Sequence, residues 1–180
     1  MSSERVIGDR TDSFCINATG LNQSNPKLTI FHVTHWKAGS QWVGGIMKDA
    51  CRERIVKVRA GMFHVTEDPI VAGGVYSPVY LDYRRFMGAV ANEPSFRAFF
   101  VLRDLRDTLV SMYFSLKISH GVSKDTAVGE IRKTLNSLSF EEGLEHLMGD
   151  QLNVVAGIQR SWLQSDQKVF RYEDLIANDQ

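Results

Sequence analysis

The chain has 180 residues, 43% of them hydrophobic, and 21 Lys and Arg residues balance 21 Asp and Glu residues. This length supports one domain with a buried core, and the balanced charge disfavours a general nucleic-acid or membrane-surface binder, because both rely on excess positive charge. Two cysteines without a CxxC spacing exclude a disulfide scaffold and give no indication of zinc. The sequence shows neither a membrane-spanning apolar run nor a signal-peptide pattern at its polar start, so we expect a cytoplasmic protein.

The first half of the chain predicts a polar arm followed by alternating strands and helices. Residues 1–26 are rich in Ser, Asn and Asp, which predicts a loosely ordered arm and places the domain at residues 27–180. Hydrophobic periodicity then predicts a strand at 28–33, a helix at 41–54, a strand at 55–58, a long loop at 61–78 with a short strand near 74–76, and a helix at 80–92.

The second half continues the alternation and defines the fold class. It predicts a strand at 96–102, a helix at 104–120 with Asp104 as its N-cap, helices at 126–138 and 140–164, and a strand at 168–172. Ser139 and Glu142 form a capping-box pattern before the last long helix. This order predicts an α/β domain with a mainly parallel sheet flanked by helices, in which ligands bind at the carboxyl ends of the strands.

The loop after the first strand carries an anion-binding pattern. His35–Ser40 holds Lys37, Gly39 and Ser40 just before a helix begins. Amide groups at a helix N-terminus attract anions, and a lysine adds a full charge. The alternative is an ordinary strand–helix turn capped by Ser40. A Walker A sequence, GxxxxGK[ST], is absent from the chain, which disfavours an ATP or GTP hydrolase.

The loop after the 96–102 strand carries a second candidate anion ligand. Arg103 ends that strand, and Ser111 follows two turns into the next helix. The forked guanidinium suits a fixed phosphate, and a hydroxyl two turns along can reach the same anion. The alternative is a solvated helix start with local ion pairs between Arg103, Asp104 and neighbouring charges.

Together these segments resemble the sulfotransferase family that uses 3′-phosphoadenylyl sulfate (PAPS). The family's PKSGTTW motif is similar to WKAGSQW at Trp36–Trp42, and its RNPKDVxVSxYHF motif is similar to RDLRDTLVSMYFS at Arg103–Ser115. A third landmark, YEDL, stands intact at Tyr172–Leu175. The motifs occur in the family's order, and the resemblance runs from about Leu28 to the last residue.

The resemblance implies a P-loop-containing nucleotide hydrolase-like three-layer sandwich that moves a sulfuryl group from PAPS to a hydroxyl or amine, without a metal. The acceptor would be a small molecule, a glycan or a lipid. Lys37 would hold the phosphosulfate and assist catalysis. The remaining donor-binding residues would be Ala38, Gly39, Ser40 and Gln41 at the 5′-phosphate, Trp42 and Tyr172 at the adenine, and Arg103 and Ser111 at the 3′-phosphate.

The sequence also departs from the family pattern. Trp36 replaces the usual Pro, Ala38 a Ser and Gln41 a Thr. The sequence ends soon after YEDL, before any glycine- and lysine-containing segment of the kind that covers the 3′-phosphate in the family. We therefore expect either part of a longer protein or an incomplete nucleotide site that binds the donor weakly.

The general base is open at this stage. The family's THLP-like segment corresponds to VYSP, which offers Tyr76 and no histidine. His64 and Glu67 in FHVTEDP are the preferred candidates, because His64 titrates near neutrality and other branches of the family use a Glu in about this place. His35 is a third candidate, whereas His32 lies within the strand and is expected in the core.

Two other functions remain open from the sequence. One is a non-catalytic adenine-nucleotide-binding module, and the other is a P-loop-type small-molecule kinase, for which a Walker lysine and a magnesium carboxylate are not in place. The acceptor and the oligomeric state cannot be inferred from these patterns.

Overall fold

A four-stranded parallel sheet forms the centre of the molecule. The computed structural model describes residues 27–57, Val65, 68–121 and 126–178. The strands are β1 (Thr29–Thr34), β2 (Val75–Val79), β3 (Phe96–Leu102) and β4 (Lys168–Arg171), arranged in the order β2-β1-β3-β4. All three pairings are parallel, which confirms the predicted α/β fold.

Helices connect the strands and extend beyond them. They are α1 (Ser40–Ala50), α2 (Tyr83–Ala89), α3 (Leu105–Phe114), α4 (Thr126–Ser137), α5 (Phe140–Leu147), α6 (Asn153–Leu163) and α7 (Tyr172–Ala177). Ser115–Ser119 continues α3 as a π-helical turn, and Met148–Leu152 joins α5 to α6 in the same way. The predicted helix at 140–164 is therefore one continuous helical stretch with a π-helical turn inside it.

Alternating side chains along the strands make the sheet the middle of three layers. Ile30 packs with Val43 and Met47 of α1 on one face. Phe31 points to the other face, where Phe100 stacks on Trp162 of α6 with ring centroids 5.3 Å apart. Burying such a side chain stabilises the fold by about 1.5–3 kcal/mol. The two apolar faces explain why short helices with weak intrinsic stability persist on both sides of the sheet.

The second strand of the sheet is not the one that the sequence predicts. Ile55 makes only an isolated bridge to Val75, and no strand forms over the described residues 55–57. The strand is Val75–Val79 instead, which confirms the short strand near 74–76 but extends it into the predicted loop. Pro78 is unusual inside a strand, because it has no backbone N–H to donate. The strand lies at the edge of the sheet, however, where a missing backbone donor costs little.

The helix termini confirm the capping predictions and shift several boundaries. Asp104 caps α3 by accepting a hydrogen bond from the Arg106 amide, and Ser139 and Glu142 form the predicted capping box. Tyr172 begins α7 rather than ending β4. The predicted arm at residues 1–26 lies outside the described residues. Within the described part of the chain, no helix has the length and apolarity needed to cross a membrane.

Candidate functional site

The three motif-bearing segments meet at the carboxyl ends of β1, β3 and β4. Arg103 donates a hydrogen bond from Nη1 to the Lys37 carbonyl oxygen at 3.2 Å. The Arg103 guanidinium carbon also lies 5.1 Å from the centroid of the Tyr172 ring, and Trp42 meets that ring edge-on at 6.1 Å. Four predicted donor-binding residues from three distant segments are therefore neighbours in space.

The backbone of the first loop presents a group of N–H donors. Lys37 and Gly39 both have positive φ, 66° and 76°, so the chain turns sharply before α1. The first intrahelical bond runs from the Val43 amide to the Gly39 carbonyl at 3.0 Å. The N–H groups of the first three helical residues therefore have no acceptor within the helix. This is an anion-binding backbone geometry, and the strained φ of a lysine is typical of functional sites.

Gly39 is required by the packing of Tyr172. A Cβ on Gly39 would lie 2.3 Å from Tyr172 Cε2, far inside van der Waals contact. The group that approaches this glycine so closely is the tyrosine ring. Tyr172 thus lies directly on the first loop, and the glycine fixes how closely YEDL approaches it.

Ser40 is not the helix cap that the alternative interpretation required. Gly39 occupies the N-cap position and makes no side-chain cap, while Ser40 is the first helical residue and is 8% exposed. Its Oγ accepts a hydrogen bond from the Tyr80 hydroxyl at 3.0 Å. Burial raises the pKa of Tyr80, so the phenol stays protonated and donates. The sequence reasoning missed Tyr80, because no pattern links residues 40 positions apart.

Two cationic side chains define the electrostatics of the site. Burial, and then the nearby Arg103 charge, lower the pKa of Lys37. Arg103 is 25% exposed and lies 3.9 Å from Asp107, and its buried Nε has no hydrogen-bond partner among the described residues. Two cations beside an unpaired donor and free helix amides form a region that an anion would stabilise.

The other predicted donor ligands are more loosely placed. Ala38 is buried in the loop, Gln41 is exposed, and Ser111 is partly buried on α3. In the part of the chain that the structure describes, the Ser111 side chain makes no hydrogen bond to Arg103. Ser111 therefore lies on the helix that follows Arg103, but the structure does not show that the two side chains would bind the same phosphate.

The preferred base candidates cannot be placed, since His64 and Glu67 lie outside the described residues. Tyr76 is a core residue: its ring stacks on Phe31 at 4.9 Å, and its hydroxyl accepts a hydrogen bond from the Val71 amide at 2.7 Å.

The third base candidate, His35, and the expected core residue His32 are both buried, His32 within β1 and His35 just after it. His35 is fully buried with both ring nitrogens engaged, so it is wrong as a base for an acceptor. His32 lies in the core as predicted, with Nδ1 2.7 Å from Ser77 Oγ. Burial lowers the pKa of His35 to about 4 and that of His32 to about 3.

Glu173 belongs to the YEDL motif, but the sequence did not indicate a role for it. Glu173, in YEDL, accepts a hydrogen bond at Oε1 from the Asp104 amide at 2.9 Å. This bond ties the start of α7 to the start of α3, beside Arg103. Among the described residues, no group of three or more His, Cys, Asp and Glu side chains is arranged to hold a metal ion.

The comparisons with known proteins find a structural likeness without a sequence relative. No protein-family model and no curated protein matches the chain. The crystal structure of the mouse sulfotransferase SULT7A1 complexed with PAP is similar, with a TM-score of 0.57 and 16% sequence identity. The match covers 84% of this chain and 53% of that chain, so the chain spans about half the length of that structure. The likeness shows the fold, a sulfotransferase-like α/β domain with a parallel sheet.

Proposed function

We propose that this chain is a sulfotransferase domain that moves a sulfuryl group from PAPS to a hydroxyl or amine of an acceptor. The observation that carries the proposal is the convergence of Lys37 and Arg103 beside the open N-terminus of α1, with Arg103 bonded to the Lys37 carbonyl. The fold that the chain shares with a PAP-complexed sulfotransferase supports the same reading of this convergence.

The residues present fit a nucleotide with two separate phosphate groups. The free amides at the start of α1 suit the 5′-phosphosulfate, with Gly39, Ser40 and Gln41 around it. Arg103 has an unpaired buried Nε, which suits the 3′-phosphate, with Ser111 on the adjoining helix. Trp42 and Tyr172, whose ring centroids lie 6.1 Å apart, offer aromatic surface that suits the adenine.

The chemistry would depend on fixed positive charge. When bound, the donor supplies the sulfuryl group and the phosphate that leaves it. Lys37 would stabilise negative charge on that phosphate, and the loop amides would do so without reorganising, because the backbone is already turned toward the anion. Tyr80 holds the Ser40 hydroxyl and so helps to keep the loop in this conformation.

The acceptor side of the proposal rests on a cavity that Tyr80 connects to the start of α1. The cavity has a volume of about 310 Å³ and is lined by Tyr80, Asp82, Arg85 and Asn153, among others. Tyr80 contributes both to this cavity and to the hydrogen bond with Ser40. We therefore assign the acceptor, a small molecule or part of a glycan or lipid, to this side of the loop.

A labelled-donor assay tests the proposal. The chain is incubated with sulfur-labelled PAPS and a panel of phenols, alcohols, amines and glycans, and transfer of label is measured. Lys37→Ala should lower turnover about a hundredfold, because a contact to developing charge is worth about 3 kcal/mol. Lys48→Ala, at the exposed end of α1, is the matched control and should retain turnover.

Three outcomes would contradict the proposal in different ways. Turnover of Lys37→Ala within twofold of the unmodified chain removes Lys37 from the mechanism. Binding of PAP without label transfer to any acceptor favours the other candidate, a non-catalytic adenine-nucleotide-binding module. No binding of PAP excludes both.

A further inference from the structure

His35 and Gln159 form a buried polar contact between the two anion-binding loops. His35 follows β1 and is fully buried, and Gln159 is a residue of α6 that is 7% exposed. The two lie 124 residues apart in sequence, yet His35 Nε2 and Gln159 Nε2 are 2.7 Å apart. Burial of two polar side chains without water is unfavourable unless every polar atom finds a partner.

The partners determine which nitrogen of His35 carries the proton. His35 Nδ1 lies 2.8 Å from the Trp36 carbonyl oxygen, which only accepts, so Nδ1 is the N–H donor. His35 Nε2 faces the Gln159 amide nitrogen at 2.7 Å and the Arg103 backbone N–H at 3.4 Å. Both are donors, so Nε2 is the acceptor and the ring is neutral.

Both hydrogens of the Gln159 side-chain amide are used in hydrogen bonds. Its Nε2 also donates to the Arg103 carbonyl oxygen at 2.6 Å, which identifies this atom as the amide nitrogen rather than the oxygen. One hydrogen of the amide therefore goes to His35 and the other to Arg103. Both peptide groups of Arg103, its N–H and its C=O, are held by this pair.

We propose that His35 and Gln159 are positioning residues that fix the Lys37 loop and the Arg103 peptide relative to each other. His35 binds the carbonyl of Trp36, next to Lys37, and the pair binds both sides of Arg103. A proton on His35 Nε2 would make that nitrogen a donor facing two other donors, the Gln159 amide and the Arg103 N–H, and would break both hydrogen bonds. Burial keeps the pKa of His35 low, at about 4, which is consistent with a ring that stays neutral.

The expected effect on nucleotide binding rests on the proposed function, whereas the hydrogen bonds of His35 and Gln159 do not depend on it. If the two cations bind one nucleotide, their separation must match its two anionic groups, and small displacements lower affinity and rate. We expect His35→Leu and Gln159→Met each to weaken binding of PAP about tenfold, the equivalent of one lost hydrogen bond. The double variant should bind no more weakly than either single variant, because the two side chains contact each other and together hold the backbone of the same residue, Arg103.

The first experiment needs no nucleotide. Nitrogen-15 spectra of the labelled histidines, with the His35 signal assigned from its absence in His35→Leu, report which ring nitrogen is protonated. The expected result is an Nδ1–H, neutral His35 near pH 7. A protonated Nε2, in either a neutral or a charged ring, overturns the inference whatever the protein binds.

The second experiment measures PAP binding by calorimetry, with folding checked by circular dichroism. His32→Leu is the matched control, because His32 lies in β1, shortly before His35, and is equally buried but bonds Ser77 instead. His35→Gln keeps an acceptor near the Gln159 amide and should recover part of the affinity. Variants that bind PAP as the unmodified chain does would overturn the inference, whereas an unmodified chain that does not bind PAP would overturn the proposed function.

Discussion

Individual residues at the site adopt conformations that ordinary positions avoid. Lys37 has a positive φ although it is not a glycine, and Gly39 adopts the same region in contact with an aromatic ring. Arg103 donates a hydrogen bond from Nη1 to the Lys37 carbonyl, and its Nε has no hydrogen-bond partner among the described residues. Such strain and unpaired polar groups cost about 1–3 kcal/mol each, so they persist where the surrounding packing imposes them.

Arg103→Ala should remove the preference for a 3′-phosphate. A charge-assisted contact to Arg103 is worth about 1.5–3 kcal/mol, so the unmodified chain should bind PAP about tenfold or more tightly than adenosine 5′-phosphate. Calorimetry with both nucleotides measures this ratio. Arg106→Ala removes the same charge from a solvated position, 91% exposed, and should keep the preference. An unchanged ratio in Arg103→Ala would place the 3′-phosphate elsewhere.

Gly39→Ala should destabilise the fold. The new Cβ meets the Tyr172 ring at 2.3 Å, and the backbone must keep φ near 76°, which costs an alanine about 1–3 kcal/mol before any clash is counted. Urea denaturation measures the change in the free energy of unfolding. Gly45→Ala in α1 is the control: its Cβ meets nothing within 4 Å, and the change should stabilise the helix by up to about 1 kcal/mol. Equal stability of the two variants would contradict this account of Gly39.

Short elements hold the site together at the next scale. Helix α7 has only six residues, too few to be stable alone, yet it places Tyr172 on the first loop and Glu173 on the start of α3. Leu175 packs the helix onto the α1 face of the sheet. The YEDL segment therefore connects the Lys37 loop to the Arg103 loop through its own packing.

Glu173→Ala should lower both stability and nucleotide affinity. It removes the acceptor of the Asp104 N–H bond beside Arg103, and a hydrogen bond to a charged group is worth about 1.5–3 kcal/mol. Thermal unfolding and PAP calorimetry on the same protein measure the two effects. Asp174→Ala, one residue later and exposed, removes an equal charge from the same helical turn. A result in which both variants behave alike would assign the effect to the helix dipole instead of the hydrogen bond.

At the scale of the whole molecule, folding keeps two histidines of the described residues neutral, His32 and His35. His32 stacks on Phe99 within the α1 layer, and His35 is enclosed by Trp36, Arg103 and Gln159. Burial is the main cause of both low pKa values, about 3 and about 4, against 6.5 in the unfolded chain. The unfolded state therefore binds more protons than the native state below about pH 6.5.

Stability should fall as the pH drops from 6.5 toward 5. Each buried histidine should contribute a slope approaching about 1.4 kcal/mol per pH unit, and this stabilisation is fully present above pH 6.5. Urea denaturation from pH 8 to pH 5 measures it. His32→Phe, which keeps an aromatic ring against Phe99, should lose about half of the slope. The carboxylate of Asp104, with a pKa lowered to about 2 chiefly by its hydrogen bonds with Arg106, responds only below this window. A flat profile for the unmodified chain would contradict neutral burial of these histidines.

The sequence by itself determined the elements whose signals are local. The apolar run at Phe96–Leu102, the caps at Asp104 and Ser139, and the motif residues at the ends of β1 and β3 follow from periodicity and side-chain chemistry over a few residues. These signals sufficed for a parallel α/β fold. They also sufficed to identify the segments that meet at the carboxyl ends of the strands.

Only the tertiary structure decided which partners those residues have. The second strand is Val75–Val79, at the edge of the sheet, where Pro78 is tolerated. A local sequence pattern cannot show that a strand will lie at an edge. His35, predicted as a possible base, is buried because Gln159 reaches it from α6, and Gly39 serves the Tyr172 ring. Contacts between residues 124 positions apart leave no periodic trace in a single sequence, since they depend on how the layers pack.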